Sequence, residues 1–284
     1  MTEAIGSNGR GGRTAPGEEA RRMGLDRVGL DRRESPLSGM TALVTGGTRG
    51  LGRVIAEWLG RDGATLLISG RAAADVDTAV AELRRLGLAA DGIPANLADP
   101  AAAHRLGQEA TERGPLHLLV NNAGMSIRGR FWEVSDADWE EQTNVNLWAP
   151  FILAQHAARA MIAGGVRGRI VNVSTIGAHL CHKDALVYDA AKAAVEAMTR
   201  NMAYELGPHG IAVNCVVPGA IPDRPGVAVD PEGWPRTAAL IPQGRAGRAE
   251  DVAAAVRFFC RPESAWTTGQ SLLVDGGHST WLVE

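Results

Sequence analysis

The feature that most restricts what this chain can fold into is the run T-G-G-T-R-G-L-G, Thr45 to Gly52, set between a short apolar run and a helical pattern. Gly46, Gly50 and Gly52 let the backbone turn tightly and approach a phosphate where a Cβ would clash. A helix that starts there aims free amides and the positive end of its dipole at a pyrophosphate. Glycines alone are weak evidence, but the strand–turn–helix context that such a fingerprint requires is met here. The spacing is G-x-x-x-G-x-G, not G-x-G-x-x-G.

The same β-then-α alternation continues along the chain. Strand-type runs are expected at Met40–Thr45, Ala64–Ser69, Ala90–Ala95, His117–Asn121, Arg169–Ser174, Ile211–Val217 and Ser271–Val274. Helical periodicity fills Gly50–Arg61, Val76–Leu86, Ala101–Arg113, Asp138–Ile162, Ala185–Leu206 and Ala249–Cys260. Strands that are apolar throughout, such as Thr-Ala-Leu-Val-Thr, are buried on both faces when helices cover a parallel sheet. The expectation is one α/β domain over residues 39–284, a doubly wound parallel sheet with helices on both faces. The irregular, Pro- and Gly-rich stretch from Ile221 to Arg248 is expected to be a lid over a pocket.

Composition narrows the function classes. The 284 residues carry 29 Lys+Arg against 32 Asp+Glu, a net charge of −3, without the basic footprint of a general nucleic-acid binder. No apolar run reaches the ~20 residues that span a bilayer, so no membrane partner is expected. Cys181, Cys215 and Cys260 are too widely spaced for a zinc pattern or a disulfide framework and fit the cytoplasm. Residues 1–38 hold few large apolar side chains and are expected to form a disordered tail.

The tip of the second strand should read the cofactor's ribose. An acid there would accept the ribose hydroxyls and repel a 2′-phosphate. This chain has Ser69-Gly70-Arg71 instead, with Arg49 inside the glycine turn. Two guanidinium groups at phosphate-facing positions favour NADP(H) over NAD(H).

Further motifs follow in order: N-N-A-G (Asn121–Gly124), N-V-N-L (Asn144–Leu147), I-V-N-V-S-T (Ile170–Thr175), Y-D-A-A-K (Tyr188–Lys192), P-G (Pro218–Gly219) and G-Q-S-L-L-V-D-G-G (Gly269–Gly277). Tyr188 and Lys192 stand at i and i+4, on one helix face. A free phenol titrates near ~10, and a nearby ammonium favours its ionised form, so the pair suits acid–base work near neutral pH.

With this ordered set, residues 40–277 resemble the short-chain dehydrogenase/reductase family in its 3-oxoacyl reductase-like branch. The resemblance implies a Rossmann-like fold and an NADP(H)-dependent oxidoreductase that reduces a small-molecule ketone to a secondary alcohol. Rivals are an NAD-type alcohol or sugar dehydrogenase working oxidatively, and a catalytically silent nucleotide sensor. It implies Tyr188 as proton donor, with Lys192 also on the nicotinamide ribose and Asn146 stabilising a helix distortion and a proton-relaying water. The substrate-holding hydroxyl is Thr175, thirteen residues before Tyr188, with Ser174 as the alternative one residue earlier. The cofactor would be held by Gly46, Thr48, Arg49, Gly50, Leu51, Gly52, Arg71, Asn96, Leu97, Asn122, Ala123, Gly124, Pro218, Gly219 and Ile221, besides Tyr188 and Lys192. After Pro218-Gly219 the family commonly has a Thr, whereas Ala220-Ile221-Pro222-Asp223 supplies none.

His179 and His182, beside Cys181, lack the further ligands of a metal site and are expected to line the substrate pocket; no metal is expected. The scattered Trp residues read as packing, with Trp234 on the lid the exception. Relatives assemble by pairing long helices, so a homotetramer or homodimer is expected. The small faces of Asp138–Ile162 and Ala185–Leu206 (Ala154, Ala157, Ala158, Ala190, Ala193, Ala194, Ala197) would permit close approach, and Trp281 would reach a neighbour.

Overall fold

In the computed structural model, residues 35–222 and 233–280 are described, with Gly233 and Trp234 as backbone only. All of them lie in the second of two units into which the chain divides, Ser35–Glu284. Residues 1–34, Asp223 and Trp281 lie outside the described residues, and so does most of the expected tail. Its last residues do not behave as a tail: Leu37 is fully buried, and its N–H donates to Asp62 O at 2.8 Å.

Among the described residues, seven strands form one all-parallel sheet. They are β1 (Thr41–Thr45), β2 (Thr65–Gly70), β3 (Ala90–Pro94), β4 (Leu118–Asn121), β5 (Arg169–Val173), β6 (Ala212–Pro218) and β7 (Ser271–Val274), in the order β3-β2-β1-β4-β5-β6-β7. The helices are α1 (Gly50–Arg61), α2 (Ala73–Arg85), α3 (Pro100–Glu112), α4 (Asp136–Thr143), α5 (Ala149–Ala163), α6 (Leu186–Leu206), α7 (Gly233–Ala239) and α8 (Ala249–Cys260). Successive strand side chains point to opposite faces, and the two cores follow that alternation. Ala42 and Val44 pack with Ile55, Leu59, Leu83, Val256 and Phe259 of α1, α2 and α8. Leu43 packs on the other face with Leu106, Ile152, Leu153 and Met161 of α3 and α5. The strand order reverses between β1 and β4, and the crevice beyond their carboxyl ends is where a doubly wound sheet binds ligands.

Two local elements depart from the expected ones. The expected helix Asp138–Ile162 is α4 and α5 joined by a π-helical turn, Asn144–Trp148. Asn146 Nδ2 donates to Gln142 O at 2.9 Å, occupying the carbonyl that a regular helix offers to the residue four positions on. The ladder therefore slips by one residue. The expected irregular stretch 221–248 contains α7. Of the alanines assigned to a subunit contact, Ala154 and Ala157 are buried in the core, whereas Ala190 and Ala193 are exposed.

Asp62, buried at the end of α1, anchors α8 to α1. Arg257 Nε donates to it at 2.6 Å, Arg261 Nε and Nη2 at 2.8 and 2.9 Å, and Arg257 Nη2 closes the fork. Burial alone would raise this carboxyl, but the hydrogen bonds and charges of Arg257 and Arg261 outweigh it and hold it below the usual 3.8. A folded-state pKa below the unfolded one gives stability that is complete above about pH 4 and is lost as the pH falls through the depressed value. Asp62→Asn should cost about 2 kcal/mol, less than the ~3–5 of a fully buried pair, because both guanidinium groups are about one-third exposed. Urea unfolding at neutral pH and at pH 3 checks this: the gap between wild type and variant should shrink in acid.

Candidate active site

The glycine turn is built into the sheet from two sides. Gly46 (φ +64) and Gly50 (φ +52) occupy the left-handed region that side chains avoid. A Cβ on Gly52 would overlap Gly46 O and Asn122 Nδ2. Asn122 Nδ2 donates to Thr45 O at 2.9 Å, while the N–H groups of Asn122 and Ala123 each donate to Thr45 Oγ1 at 3.0 Å. The end of β4 therefore fixes the turn that ends β1, and α1 begins at Gly50 with no side-chain cap on its first amides. Those amides are what an anion would take up.

Beside the turn, Gly47 N–H donates to Ser69 O at 2.9 Å. The Thr48 side chain lies over Gly70, so closely that any Cβ there would overlap Thr48 Cγ2. The strand tip that would carry a ribose-reading acid is thus occupied by Thr48. Arg49, just before α1, and Arg71, just after β2, are both exposed at this end of the sheet. Asn96 is exposed past β3 with Oδ1 accepting from Ala98 N at 3.4 Å, and Leu97 is buried beneath it. Leu51 is half-buried.

The second group converges from β4, β5, α6 and the π-helical turn. Tyr188 and Lys192 are buried on α6, and Lys192 Nζ lies 5.9 Å from the Tyr188 ring centroid. Lys192 Nζ donates to Val173 O at 2.8 Å, bracing the helix on the end of β5. A Cβ on Gly124 would stand 3.2 Å from Asn146 Oδ1 and 3.5 Å from Lys192 Nζ, so N-N-A-G, the π-helical turn and the lysine meet at one point. Asn146 is fully buried: its amide donates to Met125 O (2.7 Å) and Gln142 O, and its Oδ1 accepts from Met125 N (3.1 Å).

Ser174 and Thr175, adjacent and both buried, differ in what they touch. Ser174 Oγ donates to Glu196 Oε1 at 2.8 Å and lies 3.2 Å from Lys192 O. Thr175 Oγ1 accepts a long bond from Gly177 N, at 3.4 Å. Pro218 and Gly219 are buried at the end of β6, where a Gly219 Cβ would stand 2.7 Å from Asp275 Cα, and Ile221 is buried after them.

Several further side chains hold this site together. Asn121 Nδ2 donates to Asn172 Oδ1 (2.9 Å) and Asn172 Nδ2 to Thr199 Oγ1 (2.8 Å), a buried link from β4 through β5 to α6. Gln142 Oε1 accepts from Ile127 N at 2.9 Å. His179 and His182 pair with separate carboxylates, Glu196 (3.0 Å) and Asp189 (2.8 Å). His182 and Asp189 line a cavity of about 510 Å³ with Arg130, Phe131, Trp132 and Cys181. The polar residue inside an apolar strand run (Asn172) and the acid one turn beyond Lys192 (Glu196) were the available signals.

A family model described as Enoyl-(Acyl carrier protein) reductase matches residues 46–279. Gluconate 5-dehydrogenase from Gluconobacter oxydans (strain 621H) is 36% identical over 245 residues, covering 85% of this chain and 95% of that protein. The 3-oxoacyl-(acyl-carrier-protein) reductase FabG of Aquifex aeolicus (strain VF5) is 34% identical over 246 residues, 86% of this chain and 99% of the relative. Among solved structures, a gluconate 5-dehydrogenase from Burkholderia cenocepacia J2315 in complex with NADP and tartrate superposes with a TM-score of 0.81 at 31% identity, covering 88% of this chain and 98% of that one. Matched along nearly the whole domain in sequence and in fold, the chain belongs to the short-chain dehydrogenase/reductase family of oxidoreductases.

Proposed function

We propose that this protein is an NADP(H)-dependent reductase of ketones, with alcohol oxidation as the reverse reaction. The observation that carries the reading is the meeting of Gly124, Asn146 and Lys192 beside the buried Tyr188. The cradle fits a dinucleotide: Gly46 and Gly50 hold the left-handed turn, Gly52 lets it close against Asn122, and the first amides of α1 have no side-chain cap. Gly46, Thr48, Gly50, Leu51 and Gly52 would take the pyrophosphate side, Arg49 and Arg71 the 2′-phosphate, and Asn96 and Leu97 the adenine. Asn122, Ala123, Gly124, Tyr188 and Lys192 would hold the riboses, with Pro218, Gly219 and Ile221 as the wall beside the nicotinamide. Bound NADPH supplies a hydride for the carbonyl carbon.

The chain's own residues handle the proton. Tyr188 donates its phenolic proton to the carbonyl oxygen as charge develops there. Lys192, braced on Val173 O, keeps a positive charge beside that phenol. Thr175 is the hydroxyl that polarises the carbonyl, because the Ser174 proton is committed to Glu196 inside the core. Asn146 holds the distorted helix turn next to Lys192. A screen of NADPH consumption against ketones, keto-thioesters and keto-sugars tests the reading. Turnover with one of these classes is expected, and NADPH binding without turnover on any of them would favour the silent sensor.

The cofactor preference rests on Arg49 and Arg71 and on Gly70 in place of an acid. Fluorescence titration should show tighter binding of NADPH than of NADH. Arg71→Asp should weaken NADPH by about 1.5–3 kcal/mol, on the order of 10–150-fold, through loss of a charged hydrogen bond and direct repulsion. Equal or tighter NADH binding by the native chain would overturn the preference.

We further propose a cytoplasmic homo-oligomer, a dimer of dimers built on α5 and α6. Phe151 and Ile162 on α5, Leu186, Ala190 and Ala193 on α6, and Trp148 before α5 are exposed. Soluble homo-oligomers mostly associate symmetrically, with the same patch of two copies meeting about a twofold axis. Light scattering at micromolar concentration should give at least twice the chain mass of 29.9 kDa; a monomer would contradict the assembly alone. All three cysteines are free, and no helix among the described residues is long and apolar enough to cross a membrane.

A further inference from the structure

Four residues beyond Lys192, α6 carries Glu196, a carboxylate only 5% exposed. The fold does not require an acid there: a well-packed apolar side chain would avoid the cost of taking a carboxylate out of water. Glu196 instead holds two groups, one on each side of Thr175. Ser174 Oγ donates to Oε1 at 2.8 Å, and His179 Nε2 lies 3.0 Å from Oε2. Thr175 begins the short 3₁₀ turn Ile176–Ala178, and His179 ends it. The same helix grips the strand just before, through Lys192 Nζ on Val173 O and Lys192 O beside Ser174 Oγ. Seven residues nearer the start of α6, Asp189 accepts from His182 N (2.8 Å) and pairs with His182 Nδ1, tying down the far end of the segment. Positions 189, 192 and 196 are spaced i, i+3 and i+7, so they share one face of α6.

We propose that Glu196 is a positioning residue of the reaction: acting through Ser174 and His179, it clamps the segment that carries Thr175 onto the helix that carries Tyr188 and Lys192. This rests on the reading of Thr175 and Tyr188 as the groups that face the carbonyl. Misplacing a polarising hydroxyl by about an ångström is enough to slow chemistry on the order of 100-fold without weakening ground-state binding. Glu196 is buried and bonded to Ser174 and His179, so its removal should act on kcat and leave cofactor affinity alone.

The test uses Glu196→Ala, Glu196→Gln, Ser174→Ala and the double variant Glu196→Ala/Ser174→Ala in the full chain, with NADPH and a ketone that the wild type reduces. Glu196→Ala should lower kcat at least ~10-fold with KM for NADPH within about twofold. Glu196→Gln keeps an acceptor for Ser174 and a partner for His179, and should restore kcat to within about threefold. The double variant should be no slower than Glu196→Ala, since both act along one path. Hydrogen exchange gives a readout free of the reaction. The N–H groups of His179 and Leu180, bonded to Ile176 O at 2.9 and 2.8 Å, should exchange at least ~10-fold faster in Glu196→Ala while β5 stays protected. Should that variant fold poorly, Ser174→Ala alone must still lower kcat with KM for NADPH unchanged. Unchanged exchange at His179 and Leu180, unchanged kcat in Glu196→Ala or Ser174→Ala, or additive losses in the double variant would each overturn the positioning role. A fully active Tyr188→Phe would instead strike the reading of the site, leaving the exchange result to decide the clamp.

Discussion

Tyr188→Phe should slow ketone reduction by at least ~100-fold, and by up to ~10⁴-fold, the range lost with a positioned general acid. Phenylalanine keeps the ring that fills the buried site on α6 and the neighbour of the Lys192 ammonium, 5.9 Å from its centroid. What is lost is the one transferable proton. A factor of 100 corresponds to about 2.7 kcal/mol of barrier, far more than one altered buried contact costs in cofactor affinity. Single-turnover measurement with saturating NADPH separates chemistry from binding. The expected result is a collapsed rate constant with NADPH affinity within about twofold of wild type. Near-native turnover would remove Tyr188 from the mechanism and favour the silent nucleotide-binding alternative.

Gly52→Ala should abolish tight NADPH binding. The added methyl would overlap Gly46 O and Asn122 Nδ2, and neither neighbour can yield cheaply. Gly46 is backbone held at φ +64, and the Asn122 amide is hydrogen-bonded to Thr45 O. The turn must therefore move as a unit, carrying the first amides of α1 away from the position in which they meet a phosphate. Overpacking of this kind costs about 1–3 kcal/mol of stability. An ångström of displacement at a bound phosphate costs on the order of 100-fold in function. Calorimetric titration of NADPH against Gly52→Ala should show that loss, with a melting temperature lowered by only a few degrees. Gly207→Ala is the matched control, because a Cβ there meets nothing within 4 Å; it should bind NADPH as the wild type does.

What could be read from the chain and what could not divide along physical lines. The glycine turn, α1, α8 and β7 were legible with their boundaries, because each is specified by contiguous residues: a run of glycines, an amphipathic face, a short β-rich stretch. The pairing of Tyr188 with Lys192 was legible because helix geometry alone brings i and i+4 together. The slip at Asn144–Trp148 was not, since it depends on where one amide points: Asn146 Nδ2 on Gln142 O leaves the apolar periodicity on either side intact. The bond from Ser174 to Glu196, 22 residues away, was likewise out of reach, whereas the preference for Thr175 came from its spacing to Tyr188 alone. The facing of the alanines failed for Ala154 and Ala157 because small residues suit a sheet-facing contact as well as a subunit contact. His179 and His182 read as a pair in sequence, yet α6 separates them by offering each its own carboxylate. Long-range partners of that kind leave no periodic trace.

The proposed reaction moves a hydride from NADPH to a carbonyl carbon while Tyr188 supplies the proton. The most direct test is isotopic: NADPH carrying deuterium at its transferable position, incubated with the native protein and a responsive ketone, followed by mass spectrometry of the product. One deuterium on the carbinol carbon of the alcohol, formed at least ~100-fold more slowly by Tyr188→Phe, is the predicted result. Consumption of NADPH with no deuterium in the product, or labelled alcohol formed equally by the Phe variant, would contradict the account.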